Sequence, residues 1–176
     1  DKSKFIPVSK EAVEECHFRG GKDVLAIYAR NYPENKIING KSLVLGGSHQ
    51  INSITNDSYF GDLSAVLIQN LPFWAHFIRT PDITIALMDE WEEKIEKMAN
   101  STVDVNVTSI AGVPSWTLVL LRKILSITGK KSICEVWPNL ELYMHGGVNF
   151  SPYREQFMNI IANSKCNYIE TYNASE

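Results

Sequence analysis

The sequence predicts an α/β fold, a mainly parallel sheet with flanking helices. Strand-like and helical patterns alternate through the second half of the chain, and each strand-like run there ends in a Gly-rich or polar turn. A length of 176 residues with 44% hydrophobic content suits a single compact unit with a substantial core. Strand–helix–strand–helix–strand at this spacing implies parallel strands joined by right-handed crossovers.

Taken in order, Ser9 can cap a helix running from about Lys10 to Tyr32. Glu11 and Glu14 suit the positive end of its dipole, Val13, Cys16, Val24, Ile27 and Tyr28 form an apolar face, and Pro33 stops it. Ser42 to Leu45 reads as a short strand leading into Gly46-Gly47-Ser48-His49-Gln50, followed by a polar stretch through Asp57 without clear periodicity. Helical patterns cover Asp62 to Asn70, Phe73 to Arg79 and Asp89 to Ala99. Next come a strand from Val105 to Ile110, a turn over Ala111 to Ser115, and a helix from Trp116 to Ile127 closed by Gly129. A second unit has its strand at Leu140 to Met144, its turn at Gly146-Gly147 and its helix at Pro152 to Ile161; Asn167 to Tyr172 is a further strand.

Composition excludes several functions. A net charge of -3, with no Lys/Arg stripe interleaved with aromatics, leaves no footprint for nucleic acid. No apolar run approaches the roughly 20 residues of a membrane span, and Asp1-Lys2-Ser3-Lys4 does not resemble a signal peptide. The expectation is therefore a cytoplasmic protein without nucleic-acid or membrane partners, in which the sequons at Asn56, Asn100, Asn106 and Asn173 are chance matches. Cys16, Cys134 and Cys166 are too few and too far apart for a disulfide framework or zinc site and read as buried free thiols.

Nucleophilic and metal chemistry find little support. Ser48 and Ser115 lack a Gly-x-Ser-x-Gly elbow, and no metal motif connects His17, His49, His76 and His145. His145 at a strand end reads as a structural histidine, with a place near substrate as the alternative. Asp89 to Lys97, acidic first and basic later, reads as the solvated face of a helix, and Phe73 to Ile78 as core, with a partner or membrane patch as the alternative.

Ligands of open α/β sheets gather at the strands' C-terminal ends. Ala111 to Ser115, His145 to Asn149 and Tyr172 to Glu176 should all face that edge. The glycines either admit a ligand close to the backbone or serve as ordinary left-handed turn residues. Tyr172-Asn173-Ala174-Ser175-Glu176 offers an aromatic face, a hydroxyl and a carboxylate within five residues, a set that suits purine, phosphate and Mg²⁺ but also an ordinary polar strand end.

Trp137-Pro138-Asn139, His145-Gly146-Gly147, Pro152-Tyr153 and Thr171 to Glu176 together resemble the Gretchen Hagen family of auxin-responsive acyl-acid amido synthetases, members of the adenylate-forming superfamily. Gly46 to Gln50, Gln69 to Trp74 and Gly112 to Trp116 look especially like bacterial members. The resemblance implies ATP and magnesium as cofactors, and a carboxylic acid plus an amino acid or other amine as substrates. It assigns Tyr172 to adenine, Ser175 to the α-phosphate and Glu176 to magnesium. Gly146 and Gly147 would run beside the nucleotide and Val148 beside the acyl substrate. Val113, Pro114 and Trp116 would lie near the acyl pocket, with core packing as the alternative for Trp116. It further implies that residues 1–176 are an internal part of the large N-terminal domain, with the phosphate loop before Asp1 and the ribose-binding motif and C-terminal domain after Glu176. Such a piece is expected to be inactive alone. The competing expectation is a non-catalytic acyl- or nucleotide-binding module that keeps the same sheet.

Overall fold

The computed structural model describes residues 6–47, 52–55, 58–163 and 165–172, and only the backbone at 52–55 and 58–60. Its centre is a five-stranded parallel sheet in the order β4-β1-β5-β6-β7. The strands are β1 (Lys41–Leu45), β4 (Arg79–Thr80), β5 (Val107–Gly112), β6 (Leu142–His145) and β7 (Asn167–Glu170). A separate antiparallel pair, β2 (Asn52–Thr55) and β3 (Ser58–Phe60), has its first strand inside the stretch in which the sequence shows no periodicity and its second just after it. The predicted α/β class and its mainly parallel sheet are thus found.

Side-chain alternation on β6 and β7 divides two layers. Leu142, Met144 and Ile169 face a small cluster with Tyr28, Ile37 and Leu25. Tyr143 and Tyr168 face the main core, which takes in Leu43, Ile110, Leu120, Leu121, Ile124, Trp137 and Phe157. The small cluster is roofed by the N-terminal helix, which runs as α1 (Lys10–Ala12), a π-helical stretch (Val13–Phe18) and α2 (Arg19–Asn31). Ser9 caps it as expected, accepting from the Ala12 amide at 3.1 Å. Its apolar face is narrower than the sequence suggests: Val13 and Tyr28 are buried, but Ile27 and Cys16 are exposed, because this helix meets the sheet over a small area. Cys134 is half-buried and Cys166 buried, so the expectation of buried thiols holds fully only for Cys166.

The main core is covered by α6 (Trp91–Thr102), α7 (Pro114–Thr128), α8 (Ile133–Val136) and α9 (Arg154–Ile161). Helix α7 starts with Pro114 in its first turn, where a missing N–H costs nothing, and ends at Gly129 with φ 65°. It buries Leu118, Leu120, Leu121 and Ile124, each contributing roughly 1.5–3 kcal/mol by the area removed from water. The remaining helices, α3 (Leu63–Gln69), α4 (Ala75–Ile78) and α5 (Ile83–Ala86), connect β1 to α6 around the short edge strand β4.

Two sequence expectations fail in this connection. The helix over Phe73 to Arg79 shrinks to one turn, because a residue before proline avoids the helical region; Thr80 precedes Pro81, and Arg79–Thr80 become strand instead. A single turn has only one inward position, taken by Ala75, so Phe73, Trp74, Phe77 and Ile78 are exposed rather than core. No helix among the described residues is long and apolar enough to cross a membrane.

Candidate functional site at the C-terminal edge of the sheet

Three connections leave the C-terminal ends of neighbouring strands, and parallel pairing sets them side by side. Strand β5 ends at Gly112, β6 at His145 and β7 at Glu170, with Met144 in register with both Ala111 and Ile169. The turn after β5 holds Val113 as N-cap of α7 and Pro114, buried, as its first residue. Gly147 approaches this turn closely: a Cβ built on it would stand 3.4 Å from Val113 Cγ2. Gly146 lies on the other side, where a Cβ would collide with the Thr171 carbonyl oxygen. The structure therefore brings Val113, Gly146, Gly147 and the Thr171–Tyr172 strand end together.

Hydrogen bonds hold this edge. The Thr171 amide and hydroxyl both donate to the His145 carbonyl, at 2.7 and 3.2 Å. The Tyr143 hydroxyl donates to the Gly112 carbonyl at 3.0 Å, tying β6 to the end of β5. Burial pushes this phenol well above the ordinary tyrosine range, so it stays a donor. Gly147 has φ 80°, a left-handed conformation that a side chain would strain, and it is exposed, as are Val148 and Tyr172. Tyr172 is 89% exposed and offers an uncovered ring face.

Trp116 stands apart from this group. It is partly exposed and packs on Trp91 at 5.3 Å between ring centroids, so it joins α7 to α6. A cavity of about 270 Å³ lies on that side, lined by Trp91, Glu92, Ile95, Glu96, Val119 and Lys123 and by none of the residues expected in the site. Ser175 and Glu176 lie outside the described residues, as do Ser48, His49 and Gln50. Among the described residues no three His, Cys, Asp or Glu side chains are grouped to hold a metal ion.

Two buried polar residues support this edge. His145 is buried, stacks on Phe150 at 3.9 Å between centroids, and has no hydrogen-bond partner for Nδ1 among the described residues. Burial, aided by Arg154 and opposed by Glu170, lowers its pKa, so the ring is held neutral. The structural reading of His145 fits this packing.

Lys94 overturns the reading of Asp89 to Lys97 as a wholly solvated face. Glu93 and Lys97 are exposed and pair at 2.7 Å, as expected. Lys94 is fully buried, and its Nζ donates to the carbonyls of Gly46 and Gly47 at 3.0 and 2.9 Å. Burial lowers its pKa while Asp62 and Asp89 oppose the shift. On the other side of the turn the Gly47 amide donates to Ser64 Oγ at 2.7 Å, and the Ser64 hydroxyl in turn bonds Asp62, the N-cap of α3. Lys94 thus fixes the end of β1, the fourth connection on this edge. The sequence signal lay in helical spacing: Lys94 is one position before Ile95 and four before Met98, both core residues.

Comparison with known proteins agrees with this architecture. A solved GH3.15 acyl acid amido synthetase is similar in fold, with a TM-score of 0.68 and 12% identity over 98% of this chain. The chain spans 40% of that protein's length. No curated protein matches. The family model described as GH3 family N-terminal domain matches residues 1–166, and the chain belongs to the GH3 family.

Proposed function

We propose that the whole protein is an ATP-dependent acyl acid–amino acid ligase that works through an acyl-adenylate. The observation carrying this reading is the grouping of Val113, Gly146, Gly147 and Tyr172 at one end of the parallel sheet in a member of the GH3 family. The solved relative in fold is itself an acyl acid amido synthetase. In the first step a carboxylate oxygen bonds the α-phosphorus of ATP and pyrophosphate leaves. In the second an amine nitrogen bonds the acyl carbon, AMP leaves, and the nitrogen gives up a proton. Magnesium supplies charge stabilisation on the phosphate oxygens.

The residues suit their parts chemically. The free face of Tyr172 can stack on adenine, and Gly147, exposed and without a side chain, can let a ligand approach its backbone. Val113 and Val148 offer apolar contact to the acyl group, and Pro114 fixes the turn that carries Val113. Ser175 and Glu176 are proposed for the α-phosphate and magnesium on the strength of the motif they complete.

The test is carboxylate-dependent exchange of labelled pyrophosphate into ATP by the whole protein. Tyr172→Ala is expected to raise the KM for ATP roughly tenfold, as loss of one aromatic contact, and Glu176→Ala to lower the exchange rate further. Exchange that is indifferent to both substitutions removes them from the site. Nucleotide binding without any exchange would favour the non-catalytic module.

A further inference from the structure

A second polar site lies away from this edge, at the start of β1. Arg79 is only 6% exposed, yet its Nε, Nη1 and Nη2 all lack a hydrogen-bond partner among the described residues. Taking a guanidinium out of water without a partner costs several kcal/mol, so such a group calls for a counter-ion. Among the described residues the carboxylate whose charge acts on it is Asp82, which makes no hydrogen bond to Arg79 and whose Oδ1 accepts instead from the Thr84 amide and hydroxyl, both at 2.9 Å. Arg79 lines a cavity of about 150 Å³ together with Lys41, His76, Thr80 and Asp82. Lys41 and His76 are exposed and put two more groups of cationic or proton-donating character on its rim. Arg79 stands in register with Ser42, three residues before the end of β1, or roughly 10 Å from the nucleotide-facing edge.

We infer that this cavity binds a small oxyanion, a carboxylate or phosphate group, with the Arg79 guanidinium as its principal partner and Lys41 and His76 at the entrance. The planar fork of arginine matches two oxygens of either group, whereas a halide can satisfy only one direction at a time. The small volume limits the ligand to a single such group, free or at the tip of a larger molecule. The site is independent of the proposed ligase chemistry and does not require it.

The test is a titration of the whole protein with inorganic phosphate and, separately, with acetate, each against sodium chloride at matched ionic strength. Binding is followed by thermal unfolding and by calorimetry. At least one oxyanion is expected to raise the melting temperature saturably where chloride does not; response to phosphate alone, acetate alone or both identifies the class. Arg79→Met should weaken that binding at least about tenfold, as for loss of a charge-assisted hydrogen bond. Without oxyanion this variant should melt no lower than the parent, since it removes an unpartnered charge, and phosphate or acetate should reverse the order. Lys41→Met, on the exposed rim, should weaken binding by a smaller factor and serves if Arg79→Met does not fold. An equal response to chloride, or binding unchanged by Lys41→Met and by Arg79→Met where that variant folds, would overturn the inference, because Arg79 would then be an ordinary buried side chain.

Discussion

The chain carries two Gly-Gly pairs at the ends of parallel strands, and they are packed in opposite ways. Gly46-Gly47, after β1, is clamped on every side: Lys94 holds both carbonyls, Ser64 holds the Gly47 amide, and a Cβ would strike Ile68 Cδ1 or Asp62 Cγ at 2.7 Å. Among the described residues, Gly146-Gly147, after β6, is fixed beneath, where Gly146 presses on the Thr171 carbonyl; Gly147 is exposed, and a Cβ on it would meet Val113 alone, at ordinary contact distance. The residues under the turns differ accordingly. Lys94 spends its charge on backbone carbonyls, while His145 is held neutral by burial, stacked on Phe150 and tilted against Tyr143. Identical dipeptides thus give one turn whose peptide groups are bonded to the protein's own side chains and one that, among the described residues, lies open to solvent.

Removing the clamp is the strongest way to break this comparison. Lys94→Ala leaves two buried carbonyls without a donor and removes most of a fully buried side chain; a loss of about 3–5 kcal/mol is expected in denaturant unfolding. A loss below about 1 kcal/mol would mean that water replaces the ammonium and the turn is not clamped. Gly146→Ala comes next, at about 1–3 kcal/mol, because the obstacle is the Thr171 backbone rather than a side chain that can turn aside. Its damage should extend to the Thr171–Tyr172 strand end, read as faster hydrogen exchange at the Thr171 amide.

Gly147→Ala sharpens the contrast. There is room for the methyl group, so the cost is the left-handed backbone alone, about 1–2 kcal/mol. If this turn faces the nucleotide, the KM for ATP in the exchange assay should rise beyond what the small stability change accounts for. The same two readings on Gly47→Ala should show the reverse pattern: a clear stability loss from its collision with Asp62, and a KM effect no larger than that loss explains.

The contrast was only half legible in the sequence. The Gly146-Gly147 turn announces itself through regular strand and helix patterns on both sides, because Leu142 and Tyr143 are buried on opposite faces of a central strand. The clamp under Gly46-Gly47 depends on Lys94, some 48 residues away, and charge in a helix sequence reads as solvent-facing unless its turn is known to face inward. Arg79 was hidden the same way: the helical pattern from Phe73 continues through it until Thr80-Pro81 forces extended backbone. The antiparallel pair β2–β3 lacked a signal because Asn52 to Thr55 has no sustained apolar alternation. The residues proposed for the site near the chain's end were nameable from their motif, but of these the described residues include only Tyr172, beside the glycine turns.

The smallest effect concerns the group beneath the open turn. His145 has a folded-state pKa below its ordinary value near 6.5 because burial disfavours the charged ring. The unfolded chain therefore takes up a proton before the folded one does. Stability should be level above about pH 7 and should fall as the pH drops through 6.5 toward the depressed folded value, by no more than about 1.4 kcal/mol per pH unit from this residue. His145→Phe keeps a ring against Phe150 and has nothing to protonate. It should lie within about 1 kcal/mol of the parent at pH 8 and gain on it at pH 5.5, measured as the difference between the two proteins so that the shared carboxylates cancel. A difference that stays constant with pH would mean that the ring accepts its proton in place, and the open turn would then rest on a charged support as the closed one does.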